Sequence, residues 1–150
     1  MREDLPFTSA TRRLLADALG ESNRLGHVYV GTEHVVLALT RQPDDIAILD
    51  RLGIDGEQVR GILETIITPG QASTVPGVKL PYTSRTNQSF EYAAESARTF
   101  RHGRVTVEHV VLGLMREQMN IGAQVLQQCG LTAEKALEEV QRLDYGISPP

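Results

Sequence analysis

The sequence predicts an all-α fold in which a four-helix unit is duplicated around a pseudo-twofold axis within one compact domain. Three observations predict it. The segment HVYVGTEHVVLALTR at residues 27–41 returns as HGRVTVEHVVLGLMR at residues 102–116, with nine of fifteen residues identical. A chain of 150 residues that repeats at half its own length is most simply two copies of one unit. Apolar residues fall at helical spacing nearly throughout, and no segment alternates as a strand would. Between the copies, residues 68–80 (TPGQASTVPGVKL) hold two Pro-Gly dipeptides and small polar residues, the composition of a linker.

The first unit, about 7–67, divides into four helices. Leu14, Leu15, Ala18, Leu19, Ser22 and Leu25 form the stripe of the first, with Thr8 or Ser9 as N-cap and Gly26 as stop. Thr32 is expected to cap the second, which carries Val35, Val36 and Leu39 and ends before Pro43. Ile46, Ile48, Leu49 and Leu52 make a short third helix closed by Gly53. Asp55-Gly56-Glu57-Gln58 reads as a capping box for the fourth, with Val59, Leu63 and Ile66 inward.

The second unit, about 81–143, follows the same plan. Phe90, Ala93, Ala94 and Ala97 lie on its first helix, and Val110, Val111 and Leu114 on its second. Val125, Leu126 and Cys129 belong to its third; Ala136, Leu137 and Val140 follow a Thr132 cap on its fourth. The shift between copies is 75 up to the second helix and 77 beyond it, where Gly53 pairs with Gly130. The tail after Leu143 is expected to fray. Units of about 60 residues are marginal alone, so the two are expected to share one core.

Composition narrows the functional classes. The net charge of −4, few aromatics and no tryptophan disfavour nucleic acid or anionic lipid as partners. No apolar run approaches the ~20 residues of a membrane span, and MREDLPFTS lacks a secretory layout. One cysteine makes no internal disulfide, so a cytoplasmic location is expected. Neither Lys79 nor Lys135 follows a glycine, which excludes a GKS/GKT phosphate loop.

The duplication extends to polar residues: Glu33 recurs as Glu108, His27 as His102 and His34 as His109. Glycine and a helix start separate His27 from His34, so the histidines are read as packing and hydrogen-bonding groups and no metal site is expected. Cys129 reads as a small buried apolar residue. Nothing supplies a nucleophile or an oxyanion site, which argues against an enzyme. Glu33 and Glu108 each fall in the first turn of a helix, where a carboxylate favours the macrodipole. Symmetry adds a second reading, in which each glutamate lines a hollow bordering the start of its own unit's first helix, at Thr8 or Thr83. A carboxylate beside a hydroxyl and free helix-start N–H groups can receive a cation and an anion side by side.

FTSATRRLL, RLGHVYVGTEHVVLAL, LDRLGI, LPYTSR and RVTVEHVVLGL resemble the N-terminal domain of Clp-family AAA+ unfoldases, most closely the ClpC type. The resemblance runs from about Phe7 to Leu143, and its specific part is the LGH…GTEH-apolar-LAL string. It implies a double four-helix repeat, either part of an unfoldase or a stand-alone protein of that fold. Such a domain docks substrates and adaptor proteins for the Clp ATPase and protease machinery, with no catalysis and no cofactor of its own. For the ClpC type it further implies two equivalent pockets for proteins carrying phosphoarginine. Glu33 and Glu108 would take the guanidinium, and Thr8 and Thr83 would help hold the phosphoryl group. The second copy departs from the pattern, with Thr106-Val107-Glu108 for Gly-Thr-Glu and Arg101-His102-Gly103-Arg104 in the preceding turn. The competing expectation is a purely protein–protein docking module whose glutamates only favour helix starts. An unrelated enzyme depending on His34 or His109 is a third.

Overall fold

The computed structural model describes residues 5–43, 47–73 and 78–143. Among them lie eight helices: α1 (Ser9–Arg24), α2 (Thr32–Leu39), α3 (Ile48–Arg51), α4 (Gly56–Ile66), α5 (Ser84–Thr99), α6 (Val107–Glu117), α7 (Ile121–Gln128) and α8 (Ala133–Gln141). The described residues contain no strand, only two isolated bridges. None of the helices is long and apolar enough to cross a membrane. Ile46, residues 74–77 of the linker and the tail beyond Leu143 lie outside the described residues.

Caps set the helix starts. Thr8 and Thr83 hold identical backbone angles, φ −66° and ψ 163°, and each hydroxyl accepts the N–H three residues on, from Thr11 and Thr86. Asp55 accepts from the N–H groups of Glu57 and Gln58, and Thr132 from that of Lys135. Thr32 does not cap. Gly31 holds the cap position of α2, and the Thr32 hydroxyl instead accepts the Gly122 N–H across the two halves, at 3.3 Å. In the second half the cap is Thr106, whose hydroxyl accepts the His109 N–H.

Helix α1 stops where Gly26 adopts φ +75°. The same turn after α5 uses Arg101 at φ +60°, a left-handed conformation that a side chain disfavours. Gly26 is doubly constrained, because a Cβ there would lie 2.6 Å from the Gly70 carbonyl oxygen. The linker is strapped onto this turn by Gly70 N–H to Leu25 O (2.7 Å) and Ala72 N–H to Gly26 O (2.9 Å).

The core centres on α2 and α6. Every residue of α2 except Glu33 is buried, as is Val107–Met115 in α6 except Glu108, so both helices are apolar nearly all round. Around them pack α1, α4 and α7 against α2, and α5, α7 and α8 against α6. Gly122 lets α7 approach α2 closely: a Cβ there would lie 2.7 Å from Val36 Cγ2. Ile66, expected inward, is 47% exposed at the end of α4, and Cys129 is only half-buried.

Candidate functional site

The loops that lead to the duplicated glutamates meet the helix starts across the two halves, not within each. Thr8 N–H donates to Val105 O at 3.1 Å, and Val105 N–H donates to Pro6 O at 2.9 Å. In the mirror arrangement Thr83 N–H donates to Val30 O at 3.0 Å, and Val30 N–H to Pro81 O at 2.8 Å. Exchanging the halves maps one bridge, Phe7 with Val105, onto the other, Val30 with Tyr82. The start of α1 therefore borders the loop leading to Glu108, and the start of α5 borders the loop leading to Glu33. This overturns the same-unit pairing read from symmetry. Phe90 joins the two neighbourhoods, with ring centroids 6.5 Å from Phe7 and 5.3 Å from Tyr82.

At each hollow the threonine hydroxyl is engaged in its cap. Thr11 Oγ1 donates to Val105 O at 2.9 Å, so its contact of 2.7 Å with Thr8 Oγ1 takes its proton from Thr8. Thr83 and Thr86 repeat the contact at 2.8 Å. Beside them, the N–H groups of Ser9 and Ala10, and of Ser84 and Arg85, lie in first turns where the helix offers no carbonyl. Arginines that the sequence reading missed stand here too. Arg12 donates to Phe7 O at 2.6 Å and to Ser9 Oγ at 3.3 Å, and Arg85 pairs with Glu117 at 3.0 Å.

The two glutamates differ. Glu33 meets no cation among the described residues; Tyr29 Oη donates to its Oε2 at 3.5 Å. Burial first, then the Glu33 charge, raises the Tyr29 pKa and keeps that hydroxyl protonated. The Glu33 carboxylate lies where a Cβ on residue 31 would be, so glycine there makes room for it. Glu108, whose side chain is 12% exposed, pairs instead with Arg51 at 2.9 Å. The other arm of that guanidinium lies 3.5 Å from Glu139.

The histidines form hydrogen-bonded relays beneath these loops. Gly31 N–H donates to His34 Nδ1 at 2.8 Å, which leaves the His34 proton on Nε2. That proton goes to His27 Nδ1 at 2.8 Å, and His27 Nε2 then donates to Thr68 O at 2.9 Å. Thr106 N–H, His109 and His102 repeat the first two links at 2.9 and 2.7 Å. Burial foremost, and the neighbouring histidine next, lower the pKa of both His34 and His109 to about 4. Both rings are therefore neutral hydrogen-bonding struts. Among the described residues no group of three or more His, Cys, Asp or Glu is placed to hold a metal ion.

The family model for the Clp repeat (R) N-terminal domain matches residues 6–128 and again residues 81–144. The chain belongs to the Clp N-terminal domain family. Over 139 residues it is 36% identical to the negative regulator of genetic competence ClpC/MecB of Bacillus subtilis, covering 91% of this chain and 17% of that protein. Over the same length it is 34% identical to the chaperone protein ClpB of Oceanobacillus iheyensis, with the same coverage. The chain thus spans well under two thirds of these relatives. Among solved structures, the N-terminal domain of ClpD from Arabidopsis thaliana superimposes with a TM-score of 0.72 at 24% identity, covering 89% of this chain and 96% of that one. The N-domain of ClpV from Vibrio cholerae gives 0.66 at 13% identity, over 94% and 93%. These two show the fold.

In this Clp N-terminal domain the halves also diverge on a second face. Buried Glu21 accepts from Arg24 (2.8 Å), Arg41 (3.2 Å) and Arg60 (3.2 Å). Burial alone would raise its pKa, but the Arg24 hydrogen bond and the Arg60 and Arg24 charges outweigh it and lower the value. The register places Ser96, Thr99 and Leu137 where Glu21, Arg24 and Arg60 stand. Those three residues line, with Phe100, Leu112 and Ala133, a cavity of about 330 Å³.

Proposed function

We propose that this domain is a substrate- and adaptor-docking module of a Clp-type unfolding or degradation machine, recognising proteins marked by phosphoarginine. The observation that carries the reading is the crossed pairing, which sets each glutamate loop against a capped helix start from the other half. In this reading the carboxylate faces the first-turn N–H groups of the helix its loop meets, so a guanidinium and the phosphoryl group on it have separate receivers. Glu33 or Glu108 takes the guanidinium. The N–H groups beside Thr83 or Thr8 take the phosphoryl oxygens, and those hydroxyls join them by turning their protons away from Thr86 or Thr11.

Magnitudes explain why the mark matters. An exposed glutamate–arginine pair contributes about 0–1 kcal/mol, too little to choose one arginine among many. Charge-assisted bonds to a phosphoryl group add ~1.5–3 kcal/mol each before ordering costs. About three such bonds with the ion pair reach roughly −8 kcal/mol, the scale of a micromolar site. The partners are phosphoarginine-bearing proteins, adaptors and the Clp ATPase and protease machinery, in the cytoplasm. In this reading the module performs no catalysis and needs no cofactor, and neither nucleic acid nor a membrane is its partner. Residues 7–67 and 81–143, with the linker 68–80, serve as one unit in this task.

Calorimetric titration with phosphoarginine tests the reading. Micromolar binding is expected, with phosphoserine binding poorly because no guanidinium separates its phosphate from the glutamate. Binding that survives the combined Glu33→Ala and Glu108→Ala substitutions refutes the assignment.

The cavity beneath Phe100 and Leu137 favours a second reading, docking of a partner through an apolar side chain. Ile66, just before the linker, and Val78, within it, are 47% and 50% exposed and add apolar surface. Recovery of a Clp ATPase, adaptor or peptidase by a domain that ignores phosphoarginine would select it.

A further inference from the structure

We infer that Arg51 is a built-in occupant of the second acidic position, so that Glu33 is the single carboxylate this domain offers to a visiting guanidinium. The inference rests on the reading of Glu33 and Glu108 as guanidinium receivers and says which of them works.

Three differences between the halves produce the asymmetry. Arg51, at the end of α3, donates to Glu108 at 2.9 Å and reaches Glu139 at 3.5 Å. Its register counterpart is Gln128, and that of Glu139 is Ile62, so the Glu33 position lacks both the cation and the second carboxylate. Gly31 makes room for the Glu33 carboxylate beside its own helix start, whereas Thr106 carries a Cβ at the equivalent place. Glu108 pairs with Arg51 instead. The Arg51 side chain is 48% exposed and that of Glu108 12%, so the arginine lies over the acid as a bound ligand would.

Arg51 is held by the fold and by two carboxylates, so a visitor at Glu108 has a contact to break that Glu33 does not present. A micromolar ligand engages Glu33 unopposed, while at Glu108 it must displace Arg51. The chain has thus converted a symmetric pair of receivers into one open and one self-occupied, and Arg51 decides which.

The test is stoichiometry. Phosphoarginine titrated into the wild-type domain is expected to bind with one site per chain, and Glu33→Gln to weaken that binding at least tenfold. Arg51→Gln is expected to give two sites, and Arg51→Gln with Glu33→Gln to return to one. On the unaltered protein, amide resonances around Tyr29 and Glu33 are expected to saturate while those around Glu108 stay in place. Two equal sites in the wild type, or a single site retained in a folded Arg51→Gln variant, would overturn the role of Arg51 and leave the proposed function standing. Failure of both proteins to bind phosphoarginine would remove both.

Discussion

His34 Nε2 donates to His27 Nδ1 across 2.8 Å, and His109 reaches His102 in the same way at 2.7 Å. The fold keeps His34 and His109 neutral down to about pH 4, while an unfolded histidine charges near 6.5. Between those values the unfolded chain binds more protons, so stability is whole above about pH 6.5 and declines as the pH falls toward 4. Each ring contributes on the order of 2–3 kcal/mol to that decline. Urea unfolding midpoints between pH 7.5 and 4 measure it, and a flat profile would mean that the rings are solvated in the fold.

Glu21 adds a separate acid limb. Its depressed pKa supplies stability above about 4.5 that is lost at lower pH, a window distinct from that of the histidines. Glu21→Gln at neutral pH leaves three arginines without their buried negative charge. Because those arginines are 31–48% exposed, the expected loss is about 2 kcal/mol, short of the full cost of breaking a buried pair. Thermal unfolding of the variant checks the size, and its acid limb below pH 4.5 should flatten.

Arg101 stores strain that glycine relieves. With φ at +60° and open surroundings, Arg101→Gly is expected to stabilise the domain by about 1 kcal/mol. The reciprocal Gly26→Ala meets both φ +75° and the Gly70 carbonyl, and is expected to cost about 2 kcal/mol or more. Denaturant midpoints of the two variants should move in opposite directions.

The seam between the halves has one tight point. Gly122→Ala drives a methyl to 2.7 Å from Val36 Cγ2 and 2.9 Å from Thr32 O, at an expected cost of about 1–3 kcal/mol. Thr32→Val removes the acceptor of the Gly122 N–H and is expected to cost about 1–2 kcal/mol. Because the two residues touch, the double variant should lose less than the sum, which a double-mutant cycle reads directly.

The helices were legible because their signals are local. Thr8, Thr83, Asp55 and Thr132 sit where capping oxygens belong, and the repeated glutamates and histidines announce the twofold relation. Thr32 misled because two adjacent residues, Gly31 and Thr32, both suit a helix start; the hydroxyl found a partner ninety residues away in Gly122. Crossed and uncrossed closure use the same residues in the same order, so periodicity cannot separate them. Arg51 escaped because its partners lie 57 and 88 residues distant. The available signal was mismatch in the register: arginine against glutamine at 51 and 128, and glutamate against isoleucine at 139 and 62.

The reciprocal bridges at Val30 and Val105 have a genetic corollary. A lone repeat would expose a bare amide and carbonyl at one valine while its own leading segment went unclaimed. The cheapest remedy is a sister copy offering the same pair in reverse. The smallest self-sufficient object of this architecture is therefore a pair of repeats, and carrying both on one chain makes that meeting permanent and leaves each half free to specialise.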